Sequence, residues 1–349
     1  MRRFLCPDCG NEVYFDNLAC VACQTALGYR PEAGIMSRAG DGGARPCANR
    51  QQIGCNWVLE HADPSGLCMS CSLTTTIPDL SVAGNVERWA RLERAKRRLV
   101  YSILGFGLPL PAAQPDNRET LRFDFKGDAI TRDGKTERVL TGHDNGLITL
   151  NIAEADDAVR EKNRVALHEP YRTLVGHFRH EVGHYYWDRL VADRERSEAF
   201  RWAFGDERAD YGEALERHYE QGAPADWPQR FISHYASSHP WEDFAETWAH
   251  YFHIVDALET AAAYELPTLL AELDFGEFPS PYRGTPFHVL LKGWIPVTVA
   301  MNEMNRSVGQ PDFYPFVLTN GIAAKLAFVH ALIQDELLPA PDGGGTENR

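Results

Sequence analysis

His180, Glu181 and His184 fall in the stretch FRHEVGHYYWDRL, residues 178–190, which spells His-Glu-x-x-His. Four residues of α-helix turn the chain through about 400°, so the two histidines sit one turn apart on nearly the same face, where their imidazoles can grip one zinc ion. Glu181 is offset by about 100° from His180, which sets its carboxylate beside the metal, at the place of a bound water. Ligand and base roles are thereby separated by spacing. With 13 histidines in 349 residues, chance yields this motif in roughly a few per cent of chains, so it needs partners elsewhere. Gly183 inside the motif costs about 1 kcal/mol of helix propensity relative to Ala, which points to close packing or access at that turn.

A catalytic zinc needs a third protein ligand. The extension His-Glu-x-x-His-x-x-Gly-x-x-His would supply one, but Trp187 stands where its glycine should be and Leu190 where its histidine should be. That geometry fails. The other common solution is a glutamate from a second helix, and SHPWEDFAETWAHY, residues 238–251, offers Glu242 and Glu246 four apart. Glu242 in the first turn is favoured as an anion by the positive end of the helix dipole, which suits a ligand. Glu246, one turn on, can accept a hydrogen bond from a ligand imidazole and fix its tautomer. An acidic first turn is also ordinary in soluble helices; the upstream motif favours the ligand reading. His250, two turns after Glu242, is a candidate to support the ligands. His177, three before His180, could touch the site, but such a histidine is more often packed or solvated; Asp188 reads as a surface acid. Tyr185, Tyr186, Trp187, Trp241 and Trp248 read as packing around the two helices.

All eight cysteines lie between Cys6 and Cys71, so cysteine chemistry is confined to an N-terminal module. Cys6, Cys9, Cys20 and Cys23 form two Cys-x-x-Cys pairs; Cys47, Cys55, Cys68 and Cys71 form a looser set. The turn inside such a pair points both sulfurs inward to two corners of a tetrahedron, and Gly10 after Cys9 supports it. Two structural zinc sites follow. Disulfides need an oxidising compartment, and a thioredoxin-like redox pair needs a βαβ context absent from this stretch. Few of the first 71 residues could form a core, so metal is expected to supply most of the folding free energy, about 10 to 16 kcal/mol per zinc. The stretch 24–46, rich in Gly, Ala, Arg and Pro, reads as a linker between the sites.

The elements that must position these residues follow from pattern. LRFDFKGDAI and RVLTGHDNGLITLNI, which begin at residues 121 and 138, alternate apolar with polar residues and read as short antiparallel strands. Helical patterns follow, one opening at Pro170, one ending at Gly222 and one opening at Pro240. Strands first and helices after give an α+β domain. Residues 286–309 and 321–333 read as buried supporting helices, and 339–349 as a disordered tail. ERWARLERAKRR, residues 87–98, reads as a helix with a solvated basic face, with an acidic partner as the second reading.

A net charge of -14 argues against nucleic acid as the main partner. Residues 1–80 do not reverse this, since 6 Arg stand against 8 Asp and Glu. No stretch approaches the roughly 20 apolar residues of a membrane helix. MRRFLCPDCG meets a cysteine before an export signal could form, so the expected location is the cytoplasm.

HEVGH on one helix, EDFAE on a second and a cysteine-rich N-terminus together resemble the bacterial zinc-binding metallopeptidases that carry N-terminal zinc ribbons, over nearly the whole chain. The peptidase half is similar to the gluzincins, especially their lethal-factor-like branch. The resemblance implies a zinc-ribbon module at residues 1–82 and a zincin-like metallopeptidase domain at residues 83–338, mostly helical with a small antiparallel or mixed sheet. It implies Glu242, first in a Glu-x-x-Ala-Glu stretch, as third ligand, and Tyr235, seven residues earlier, as a group assisting the reaction. One catalytic and two structural zincs, Glu181 as general base and a peptide or protein substrate belong to the same expectation. So do ribbons that recruit or position a protein, and GLITLNI, residues 146–152, as an edge strand for an extended substrate. The alternative is an interaction module whose peptidase-like half holds zinc without turnover. Glu181 beside a complete ligand set argues for the enzyme.

Overall fold

The computed structural model describes residues 1–61, 63–111, 120–130, 133, 135–166, 173–191, 194–266 and 280–335. The N-terminal part is built on tight turns. Strands β1 (Phe4–Leu5) and β2 (Glu12–Val13) pair around the first Cys-x-x-Cys turn. There the Gly10 amide donates to the Cys6 carbonyl, and Gln24 repeats that bond at Cys20, both with φ in the left-handed region at 70° and 60°. Glycine takes that conformation freely; Gln24 is held in it by the turn.

Hairpin β3 (Leu27–Arg30) and β4 (Ile35–Arg38) occupies much of residues 24–46, where composition predicts a linker. Leu27, Tyr29 and Met36 are buried, because the ring of Tyr29 packs with Phe4, Phe15 and Trp57 in a small aromatic core. The module thus has a core as well as its cysteines. Strands β5 (Arg45–Pro46) and β6 (Val58–Leu59) and the single-turn helix α1 (Arg50–Ile53) frame the second cysteine set.

Strand β7 (Thr74–Thr76) carries the chain into the sheet of the larger half, and helix α2 (Asn85–Phe106) follows. The predicted solvated basic face of α2 holds for Arg91 and Arg94, which stay exposed, but the helix is also a seam. Arg94 and Arg98 both bond Asp16, at 2.9 Å from Arg94. Arg88 bonds Asp156 at 2.9 Å, and Lys96 and Arg97 are buried. The acidic partner of this helix lies in the same chain.

Strand β8 (Arg122–Lys126), the small pair β9 (Ala129–Ile130) and β10 (Thr136–Glu137), and hairpin β11 (Gly142–Asp144) and β12 (Leu147–Asn151) come next. The main sheet has order β11-β12-β8-β7 and is mixed. Asn145 and Gly146, both at positive φ, turn β11 back antiparallel on β12, whereas β12 runs parallel to β8 and β8 to β7. A mixed sheet was among the expectations, although the 121–130 and 138–152 stretches themselves read as antiparallel strands. The difference arises in the connections: α2 intervenes between β7 and β8, and β9, β10 and β11 between β8 and β12, so neither parallel pair is joined by a tight turn. The 146–152 stretch therefore lies inside the sheet, and β11 and β7 are its edge strands.

Helices α3 (Asp157–Ala166), α4 (Leu174–Leu190), α5 (Arg194–Phe204), α6 (Tyr211–Gln221) and α7 (Trp227–Arg230) lead to α8 (Pro240–Ala263), α9 (Phe287–Ser307) and α10 (Asn320–Gln334). α4 starts at Leu174 behind a Thr173 cap; Pro170, the expected start, lies outside the described residues. α6 ends at Gly222 and α8 opens at Pro240, as patterned. α9 buries only the stripe Leu290, Gly293, Trp294 and Val297 and exposes Ile295 and Val299, so it is a surface helix and not a buried one. α10 is largely buried. The 339–349 tail lies outside the described residues, and among these no helix is long and apolar enough to cross a membrane.

Candidate metal centre

α4 and α8 come together where Gly183 meets Ala245. A Cβ on Gly183 would stand 3.0 Å from the Ala245 Cα and 3.3 Å from its carbonyl oxygen, so any larger residue would have to part the helices. Each helix is anchored at its start. The Thr173 side chain accepts from the Gly176 amide, and the His239 ring accepts from the Trp241 amide just ahead of the metal-facing turn of α8. Close approach then sets His180 and His184 against Glu242 and Glu246.

His180 Nε2 lies 3.0 Å from Glu242 Oε2, and His184 Nε2 lies 3.5 Å from Glu242 Oε1. The ligand atoms all fall within 4.8 Å of one another, and the three residues are buried. Nitrogen and oxygen ligands around a tetrahedral zinc stand about 3.3 to 3.6 Å apart, so the cage has the right size. Glu242 Oε2 is buried with no donor in hydrogen-bonding geometry, as a metal-facing lone pair would be. The residues fit a zinc ion.

Behind the cage, His180 Nδ1 lies 2.7 Å from Glu246 Oε1, and Ser233 Oγ donates to Glu246 Oε2 at 2.6 Å. That bond holds the proton on Nδ1 and turns the Nε2 lone pair toward Glu242. His184 Nδ1 has no hydrogen-bond partner among the described residues; Trp241 packs on its ring at 4.1 Å and His143 stacks at 6.3 Å. Burial opposes ionisation of Glu242, yet the His184 and His180 rings outweigh it and hold the carboxylate well below its usual range. Burial likewise opposes Glu181, and His177 leads the groups that lower it. Burial, then the Glu242 charge, pushes the Tyr235 hydroxyl far up, so it keeps its proton.

A family model described as "Putative zinc-binding metallo-peptidase" matches residues 85–332, and one described as "zinc-ribbon domain" matches residues 3–82. The chain belongs to this metallopeptidase family. Uncharacterized proteins of Mycobacterium tuberculosis and Mycobacterium bovis are each 43% identical to it over 343 residues, which is 97% of this chain and 97% of theirs. No solved structure matches the chain.

The zinc-ribbon region holds two further clusters, Cys6, Cys9, Cys20 and Cys23, and Cys47, Cys55, Cys68 and Cys71. Sulfur pairs stand 3.6 and 3.7 Å apart in the first (Cys6 to Cys23, Cys9 to Cys20) and 3.7 Å in the second (Cys55 to Cys68). Four sulfurs at 2.3 Å from zinc would stand about 3.8 Å apart. These thiols are free of disulfides and match a tetrahedral ion.

The candidate centre also gathers further residues. Tyr211, opening α6, donates to Glu242 Oε1 at 2.7 Å, and its hydroxyl interacts with that of Tyr235. Tyr235 stands with its ring 6.0 Å from His180. His177 touches Glu181 and Glu154. Its helical offset of four from Glu181 was a usable signal; nothing in the sequence marked Tyr211 or Glu154. His250 turns its Nδ1 to the Tyr314 hydroxyl at 2.8 Å, and burial lowers it to about 4, which keeps the ring neutral beside Glu246. Asp188 is on the surface. His180, Glu181, Tyr235 and Glu246 line one cleft of about 890 Å³, whose rim includes Leu140 and Thr141 next to the β11 edge.

Proposed function

We propose that this chain is a zinc-dependent peptidase of the gluzincin type, which hydrolyses peptide bonds with Glu181 as general base. The observation that carries it is Glu181 itself, a buried carboxylate that faces the cleft beside three converging ligands without being one of them. His180, His184 and Glu242 would hold the ion, and each four-cysteine cluster one more, three zincs in all. When bound at the centre, zinc supplies Lewis acidity, polarising a carbonyl and bringing the pKa of water toward about 7.

The chain's own groups do the rest. Glu181 takes a proton from the attacking water as the new C–O bond forms, and returns it to the amine nitrogen as the C–N bond breaks. Tyr235, kept protonated, donates to the oxyanion of the tetrahedral carbon, and Tyr211 stands beside it to hold Glu242. Glu246 fixes the tautomer of His180, and His250 supports Glu246. The free edge of β11, next to the cleft, is the strand on which an extended peptide would pair. Protein recruitment through the ribbon would use the first cysteine cluster, since the second is buried.

The test is peptide-library cleavage by the zinc-loaded full chain with metal counting. We expect Glu181→Gln to keep its metal and lose cleavage by at least about 100-fold. Equal, nonzero cleavage by both proteins would sink the mechanism; metal retained with no cleavage by either would favour a zinc-loaded interaction module.

A further inference from the structure

Glu181 is met from behind by His177, one turn earlier on α4. His177 Nε2 lies 3.4 Å from Glu181 Oε1, and Nδ1 lies 2.6 Å from Glu154 Oε2. Glu154 belongs to the short 3-10 turn Ile152–Ala155 that follows β12 and is 6% exposed. Its other oxygen accepts from Thr141 Oγ1, which in turn takes the Asn151 amide at 3.1 Å. A continuous chain of contacts therefore runs from the base of β11, through Thr141, Glu154 and His177, to Glu181. Nδ1 is within hydrogen-bond reach of Glu154 and Nε2 faces Glu181 at ion-pair distance, and an imidazole set between two carboxylates is favoured as the cation, which can donate from both nitrogens. A histidine serving only to fill space has no need of Glu154, and a second buried carboxylate so near the first is costly without a cation between them.

We propose that His177, clamped by Glu154, is the positioning residue for Glu181: it engages Oε1 and leaves Oε2 turned toward the metal centre and the cleft. The kinetic part of this inference rests on the peptidase reading above; the clamp itself does not. With Oε1 occupied by the Nε2 proton, the proton released by water lands on Oε2 and later leaves Oε2 for the departing amine nitrogen. His177 keeps both of its protons throughout. Thr141 ties the same clamp to the strand edge, so the base and the substrate strand share one support.

The test uses the full zinc-loaded chain labelled with 15N at histidine. Long-range 1H–15N spectra of the wild type should show one histidine protonated at both ring nitrogens. The signal should vanish in His177→Gln and become a single N–H ring in Glu154→Gln, with zinc content unchanged. In peptide cleavage, Glu154→Gln and His177→Ala should lower kcat about 10- to 100-fold with KM within about twofold, and His177→Gln should lose less because its amide can still donate to Oε1. A wild-type His177 ring with one bare nitrogen overturns the clamp, and so does a Glu154→Gln variant that keeps both N–H groups and full kcat. If neither the wild type nor Glu181→Gln cleaves any peptide, the peptidase reading falls while the ring spectra still decide the clamp.

Discussion

The two four-cysteine clusters contain the same ligands and are built in opposite ways. In the first, two Cys-x-x-Cys turns of identical hydrogen-bond pattern face each other, and Cys9 and Cys23 remain exposed. In the second, all four cysteines are buried, and α2 from the other half of the chain sends Arg97 beside Cys55, Cys68 and Cys71. Arg97 Nε and Nη1 are buried without a hydrogen-bond partner among the described residues, and Glu93 Oε2 stands 4.0 Å from Cys71 Sγ. Four thiolates around a dication carry a net charge of two minus, and a buried guanidinium offsets part of it. The comparison teaches that regular spacing makes a site that is complete in itself, while irregular spacing marks one completed by another part of the molecule.

Three substitutions press on that difference. Cys55→Ser should be the most damaging. It removes a ligand from the cluster that welds the halves, and a contribution on the scale of about 10 kcal/mol rivals the whole stability of a domain. We expect insoluble or unfolded protein by circular dichroism; a variant folded throughout with one zinc fewer would break the idea of a weld. Arg97→Met keeps volume but strips the offsetting charge, at about 3 to 5 kcal/mol, and should lower the single melting transition by roughly 6 to 20 °C. An unchanged melting temperature would mean that Arg97 does not offset the cluster. Cys23→Ser should be mildest: one zinc lost, new protease cuts among residues 1–26, and the main transition within about 2 °C of wild type by calorimetry. A collapse as deep as that of Cys55→Ser would erase the contrast between the clusters.

Much of the metal centre was legible because helical geometry ties spacing to direction. His180 and His184 point together, and Glu242 follows a proline that starts its helix, so pattern and structure agree. Glu154 and Tyr211 were not legible. Their approach to His177 and Glu242 depends on how a 3-10 turn and a short helix pack in space, and no local periodicity records that. The linker reading of residues 24–46 failed because two four-residue strands that bury only Leu27, Tyr29 and Met36 as large apolar side chains bear too few to stand out against Gly and Arg. The basic face of α2 was read only in part, Arg91 and Arg94 being exposed as expected: charge on a helix reads as solvated unless its counter-charges, here Asp16 and Asp156, are known to be near. The strands themselves were visible, while their order was not, since parallel pairing is decided by the connections.

The contact of Gly183 with Ala245 works as a pair of calipers. The gap between two arms, one bearing imidazoles and the other a carboxylate, is gauged by a hydrogen atom where other residues carry a methyl group. A methyl there would widen the jaws at their pivot, and every donor atom beyond it would shift together. The spacing of the donor atoms in such a device is set at a point that ligates nothing, by the thickness of the pivot, with all of the coordinating side chains left as they are.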